Sequence, residues 1–376
     1  MKNPKAKGDS HSAKARLKLP GQVVLAMQGG GALGAFQVGV YEAMHEAGIE
    51  PDWVVGTSIG AINGAIIAGN PPENRLARLK QFWDLISSGS LSSGYWNVFG
   101  VGNLIHNLGT VFEGIPGFFE PNIRAWYSTD TPLGIADASY YSTVPLRQTL
   151  GELIDFEYIA KGVTRLTLGT VNIRSGRMHY FDSRDEKINI DHVMASGALP
   201  PAFPAVIIDG EPYWDGGIYS NTPIEVVMDD YPRRDSVIFA TRVWHQEDEA
   251  PHSIRQAMGR YKDILYSSRA ESHTAHQQQI HHLRHVVREL GRLLPESMLA
   301  KPEIKELLSW GCGTVMHVLP LRVLALEEED YTKDIDFTPA GIEARWKCGS
   351  ELARSRITAR PWEEVVDPAT GIVVHD

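Results

Sequence analysis

Two cysteines, Cys312 and Cys348, in 376 residues cannot build a disulfide framework, so the fold must rest on a buried core and not on covalent staples. Long apolar runs are missing as well: none reaches the roughly 18 residues that a membrane-spanning helix requires. Positive charge is in deficit, with 36 Lys and Arg against 46 Asp and Glu and a net charge of −10. That balance argues against nucleic acid as a partner. The acid is spread along the chain and reads as solubility. Internal repeats and low-complexity segments are also lacking. The one basic stretch carries Lys2, Lys5, Lys7, Lys14, Arg16 and Lys18 against Asp9, and no apolar h-region follows it, so it is not read as a secretory signal. Residues 1–20 are expected to form a disordered basic arm, with an electrostatic tether to anionic lipid as the alternative. The expected compartment is the cytoplasm, with peripheral membrane contact as an option.

What is present suits one large α/β domain or two ordinary ones: 43% hydrophobic and 22% charged residues, enough to bury a substantial core. Gln22 to Met27 is a short apolar run ending at Gln28-Gly29-Gly30-Gly31-Ala32-Leu33-Gly34. A helical pattern follows from Ala35 to Ala47 and stops at Gly48. Trp53-Val54-Val55 then leads into Gly56-Thr57-Ser58-Ile59-Gly60 and an apolar run to Ala68. Two successive strand-turn-helix units imply a parallel sheet covered on both faces. Further along, helices are expected over Leu76 to Ile86 and from Pro145 to Leu153. Hairpins are expected at Arg165 to Phe181 and at Val206 to Trp214, and another strand from Val237 to Val243. His252 to Leu294 is strongly helical, with Ser297 to Leu308 continuing that character. A strand at Thr314 to Leu319 and a last helix capped by Thr338-Pro339 complete the pattern. Leu91 to Glu120 is rich in glycine and aromatic residues, and such irregular stretches serve as covers or binding loops when they do more than pack on a core.

Gly56, Ser58 and Gly60 fit the G-x-S-x-G elbow, in which small residues let a serine stand exposed at a helix N-terminus. Ordinary strand-to-helix turns use the same residues, so the pentapeptide alone does not decide. The preceding glycine turn has two readings. Gly29, Gly31 and Gly34 match the dinucleotide fingerprint, with Glu50 and Asp52 at about the expected distance, but those acids precede the second strand where the ribose-binding acid belongs at its far end. The other reading joins the two turns along the carboxyl edge of the sheet. The amides of Gly29, Gly30 and Gly31 then form an oxyanion hole for an acyl group attacked by Ser58. A serine nucleophile needs a base. Asp215, in Trp214-Asp215-Gly216-Gly217 at the end of a hairpin strand, is the candidate, although a carboxylate there could simply cap nearby amides. His179 and His192 have no local motif. His273, His276, His281, His282 and His285 read as a solvated helical face, since no Glu follows His281 to complete a zinc motif. No metal and no cofactor are expected.

Taken in order, Gly29 to Gly34, Gly56 to Gly60, Ala195-Ser196-Gly197-Ala198-Leu199-Pro200 and Asp215-Gly216-Gly217 resemble the signatures of the patatin-like phospholipases. The resemblance covers residues 21 to about 245. It implies a three-layer α/β/α sandwich with a mainly parallel sheet, and a lipid acyl hydrolase working through a Ser58–Asp215 dyad. Residues 21–330 are then the patatin-like hydrolytic domain with a helical insertion at about 250–310, and 331–376 a C-terminal helix and tail. In one respect the chain departs from the family: Leu33 stands where an Arg is common. The implied partner is a lipid or other acyl ester. A short-chain or hydroxyacyl esterase, an acyltransferase, and a lipid- or nucleotide-binding protein without turnover are the alternatives. The inserted amphipathic helices could also serve a homo-oligomer.

Overall fold

The structure is a computed structural model that describes residues 17, 19–88, 114–126, 128, 130, 132–324, 331–367 and 369–375. The basic residues of the N-terminal arm and the 91–113 part of the expected cover lie outside these. Among the described residues a nine-stranded sheet runs in the order β11-β10-β9-β1-β2-β5-β8-β7, with β6 also on β5. The strands are β1 (Gln22–Met27), β2 (Trp53–Thr57), β5 (Arg165–Asn172), β6 (Arg177–Asp182), β7 (Val206–Ile208), β8 (Glu211–Asp215), β9 (Ser236–Arg242), β10 (Met316–Arg322) and β11 (Ile372–Val374). The remaining two, β3 (Glu120–Pro121) and β4 (Tyr141–Ser142), form a separate small ribbon. The pairs from β11 through β1 and β2 to β5 are parallel, while β6, β7 and β8 join antiparallel.

The apolar runs of the central strands are continuous because both faces are covered. Val23, Leu25 and Met27 enter one core with the helices α1 (Ala35–Glu46), α2 (Ile59–Ala68) and α3 (Pro72–Ser88). Val24 and Ala26 enter a second core with Val227 and Met228 on the opposite face. Every residue of α2 is buried, as its near-absence of polar side chains requires. The C-terminal helix Pro339–Ala359 packs along α1, and the chain then returns to add β11 to the sheet beside β10. That last strand, three residues long, carries no pattern long enough to be read from sequence.

The helix Ile254–Arg292 corrects one expectation. Its buried side is polar: Asp263, Ser267, Thr274, Gln277, His281 and His285 face the protein, while Ile254, Met258, Tyr261, Ile264 and Leu265 face outward. His281 and His285 are therefore not part of a solvated face. Each gives its Nε2 to a backbone carbonyl, His281 to Met228 at 3.0 Å and His285 to Thr314 at 2.9 Å. No helix among the described residues is long and apolar enough to cross a membrane.

Candidate active site

Strand register brings the two key side chains together. β2 pairs with β5 only as far as Thr57 opposite Gly169. The next position of β5, Thr170, pairs with Asp215 at the end of β8. Because β6 occupies the other edge of β5 across both stretches, β2 and β8 share one edge and meet end to end. Ser58 and Asp215 are the residues at that junction.

The elbow is tight for steric reasons. Ser58 has φ 58° and ψ −126°, a strained conformation for a residue with a Cβ. A Cβ on Gly56 would lie 2.3 Å from the carbonyl oxygen of Gly60, and one on Gly60 would lie 2.4 Å from that of Met27. Only glycine lets β2, the turn and α2 approach so closely. The Ser58 amide donates to the carbonyl oxygen of Ser196 at 3.1 Å and to its Oγ at 3.2 Å, and that hydroxyl donates to the Gly169 carbonyl at 2.7 Å. Ser196, the last residue of the helix Ile190–Ser196, thus fastens the elbow to β5. No side chain caps α2; the amides of Ala61 and Ile62 donate to the Ser58 carbonyl at 2.9 and 3.2 Å, and the helix N-terminus lies at Ser58.

Asp215 is 1% exposed. Its Oδ1 accepts from the Gly217 amide at 2.7 Å, and its own amide donates to the Ala198 carbonyl. Among the described residues Oδ2 has no hydrogen-bond partner of ordinary geometry. Burial pushes the carboxyl up from 3.8 to about 7, against the Ser58 hydroxyl and the Gly217 amide, which pull it down. Such a carboxylate is poised to exchange a proton near neutral pH. Gly216 is required by the junction, since a Cβ there would lie 2.5 Å from the Gly169 carbonyl oxygen.

The glycine loop lies directly against the elbow: a Cβ on Gly29 would come within 2.9 Å of the Ser58 Cβ. A Cβ on Gly34 would strike Ile59 at 2.5 Å. Here the expected set of donors narrows. The Gly29 amide already donates to the Asn221 carbonyl at 3.1 Å, so it is not available to an oxyanion. Among the described residues nothing accepts from the amides of Gly30 or Gly31. Gly31 has φ 54°, and a Cβ there would lie 2.2 Å from the Asp334 carbonyl oxygen. Leu33, at the position where the family commonly has Arg, is fully buried in the core.

Several residues that support this loop have no sequence signature. The Gln28 side chain accepts from the amides of Val243 (2.6 Å) and Trp244 (3.3 Å) and donates to Thr222 and to the Tyr266 carbonyl. Trp244 Nε1 and Asn221 Nδ2 both donate to the Gly29 carbonyl, at 2.7 and 3.0 Å. Asn63 donates to Gly34 and Gln37, and accepts from Trp83. A fully paired buried network of this kind fixes backbone position more firmly than apolar contact does. The salt bridges Lys333–Asp263 and Lys262–Asp334, at 2.8 and 2.7 Å, tie the turn at Lys333–Ile335 to the long helix beside the glycine loop.

Ser58, Asp215 and the three glycines line one cavity of about 200 Å³. One wall is apolar, with Phe118, Phe119, Tyr141, Leu146 and Phe203. Its rings interlock: Phe119 lies 4.9 Å from Tyr141 and 5.3 Å from Phe203. Phe118 and Phe119 belong to the aromatic stretch expected to be a cover; Tyr95, Trp96, Phe99 and Phe112 lie outside the described residues. His179 and His192 do not line the cavity. His179 packs on Phe181 and Tyr213, and His192 accepts from the Asn189 amide in a capping box. Glu50 and Asp52 lie at the opposite end of the sheet, where Glu50 pairs with Arg75 and Asp52 accepts from the Val23 amide. The dinucleotide reading therefore loses its acid.

Residues 25–228, more than half of the chain, match the profile of patatin-like phospholipases, and residues 264–369 match a second profile described as patatin phospholipase. The chain is 53% identical over 62 residues to lysophospholipase nte1 of Aspergillus terreus, covering 16% of this chain and 4% of that protein. It is 39% identical over 80 residues to patatin-like phospholipase domain-containing protein 6 of Homo sapiens, covering 20% and 6%. The chain thus spans only a small part of the length of these relatives. Among solved structures, VipD from Legionella pneumophila aligns with a TM-score of 0.40 at 16% identity, over 90% of this chain and 67% of that one.

Proposed function

The chain belongs to the patatin-like phospholipase family, and from that premise we propose that it hydrolyses carboxylic esters of lipids with Ser58 as nucleophile and Asp215 as base. The observation that carries the reading is the junction of β2 and β8, which sets a strained serine against a buried carboxylate in a cavity with an aromatic wall. Asp215 takes the Ser58 proton as the Oγ–carbon bond forms. The carbonyl electron pair moves onto oxygen and is held by the amides of Gly30 and Gly31, with the α2 N-terminus adding to the field. The pair returns as the bond to the alcohol breaks, and the alcohol leaves with the proton from Asp215. Water then attacks the acyl-enzyme with Asp215 again as base; as the bond from the acyl carbon to Ser58 Oγ breaks, Asp215 returns the proton to Oγ and the fatty acid is released.

The aromatic wall suits an acyl chain, which fits a lipid ester better than a short polar one. Turnover on phospholipids, lysophospholipids, acylglycerols and short-chain esters, each with a Ser58→Ala control, tests the proposal. Release of fatty acid from a lipid ester by the parent and not by the variant is the expected result. Equal activity in Ser58→Ala would overturn it, and acyl transfer to an added alcohol in preference to water would make the chain an acyltransferase.

A further inference from the structure

The cavity has two unlike walls. The apolar one is built from Phe118, Phe119, Tyr141, Leu146 and Phe203, whereas the wall on the glycine-loop side contains Asn221, Trp244 and Tyr266. Tyr266 comes from the long helix, outside the stretch that carries the catalytic motifs. Its backbone carbonyl accepts from Gln28 and from Asn221, at 3.2 and 3.4 Å, and its ring packs on Trp244 at 4.9 Å between centroids. Trp244 and Asn221 in turn hold the Gly29 carbonyl, so Tyr266 is anchored to the same loop that faces Ser58. Among the described residues nothing hydrogen-bonds its hydroxyl. Burial, then the charges of Asp215 and Asp334, push the phenol up to about 12, so it remains a donor at neutral pH. A phenol in a cavity wall with no protein partner is available to donate to a bound ligand.

Resting on the reading of this site as an ester hydrolase, we propose that the Tyr266 hydroxyl donates a hydrogen bond to the leaving-group oxygen of the ester and thereby favours esters of aliphatic alcohols such as a glycerol backbone. An acyl chain on the aromatic wall and a carbonyl oxygen at Gly30 and Gly31 leave the alcohol on the Tyr266 side. As the carbon–oxygen bond breaks, negative charge grows on that oxygen. Tyr266 stabilises it while Asp215 supplies the proton; the phenol keeps its own. The benefit is greatest for a poor leaving group and small for an aryl oxide, whose charge is already delocalised.

The test compares the parent and Tyr266→Phe in the full chain on two esters with the same acyl group, one of an aliphatic alcohol and one of a nitrophenol. Phenylalanine keeps the ring contact with Trp244. Loss of about tenfold or more in kcat/KM on the alkyl ester, the effect of one charge-assisted hydrogen bond, with less than about threefold on the aryl ester, supports the proposal. Equal losses on both, or none on either, overturn it. The rate of Ser58 labelling by a fluorophosphonate is measured alongside: labelling at the parental rate in Tyr266→Phe shows that the nucleophile is intact. Failure of this inference with Ser58 still labelled leaves the hydrolase reading standing, whereas an unlabelled parent refutes both.

Discussion

Replacing Asp215 with Asn separates what the carboxylate does for chemistry from what it costs the fold. Asn keeps an acceptor for the Gly217 amide, which now lies 2.7 Å from Oδ1, and removes the base. General-base loss alone is expected to lower kcat/KM by about 10² to 10⁴-fold. Stability should move the other way. The folded-state pKa of Asp215 is raised from 3.8 to about 7, so the folded protein holds this proton more tightly than the unfolded chain. The associated stability is fully present below about pH 4 and is lost as pH rises to about 7. At 1.36 kcal/mol for each tenfold change in proton affinity, the full loss is about 4 kcal/mol. Asn does not titrate, so the variant should gain on the parent across that window and hold its lead above it. With about 2.1 cal/mol/K per residue of unfolding entropy, the lead is worth about 5 °C in Tm for a chain of this length. Thermal melts of both proteins at pH 5 and pH 8, with ester turnover at each, read the two effects together. Wild-type kcat/KM should rise with pH through about 7 as Asp215 loses its proton. A fully active Asn variant, or a Tm difference identical at the two pH values, would refute the reasoning.

Two other substitutions probe the surroundings of the dyad. Ser196→Ala removes an acceptor from the Ser58 amide and a donor from the Gly169 carbonyl; a loss of about 1–3 kcal/mol in urea unfolding is expected, together with a lower kcat at nearly unchanged KM. Parental stability and kcat would show that this clamp is not needed. Phe203→Ala opens the aromatic wall beside Phe119 and Tyr141, so the ratio of kcat/KM for long over short acyl chains should rise severalfold in an acyl series, while an unchanged ratio would mean that the chain does not lie there.

The central motifs were legible because each is local. Gly56, Ser58 and Gly60 sit within five residues, and the need for glycine beside Ser58 is set by β1, β2 and α2, which are close in sequence. The short continuous apolar runs of β1, β2 and β9 likewise reveal strands without any knowledge of what they pair with. What could not be read is non-local. The pairing of Asp215 with Ser58 is implied by the resemblance and not by any local pattern, because it depends on where β2 stops along β5, a matter of register between strands more than a hundred residues apart. Gly29 reads as a free donor because nothing in its neighbourhood reveals that the Asn221 carbonyl returns to take its amide. Gln28, Asn63, Asn221 and Trp244 are single polar or aromatic residues whose partners come from distant segments. The long helix misleads for another reason. Its inward side contacts carbonyls and charges around the sheet edge, so Asp263, His281 and His285 are buried while its apolar side faces out, the reverse of the usual amphipathic pattern.

Covalent labelling of the intact protein with a fluorophosphonate, followed by mass spectrometry of the modified peptide, tests the nucleophile most directly. The account predicts one adduct on Ser58, absent in Ser58→Ala and slowed in Asp215→Asn. A folded parent chain that takes up no label, or takes it up at a residue other than Ser58, would contradict it.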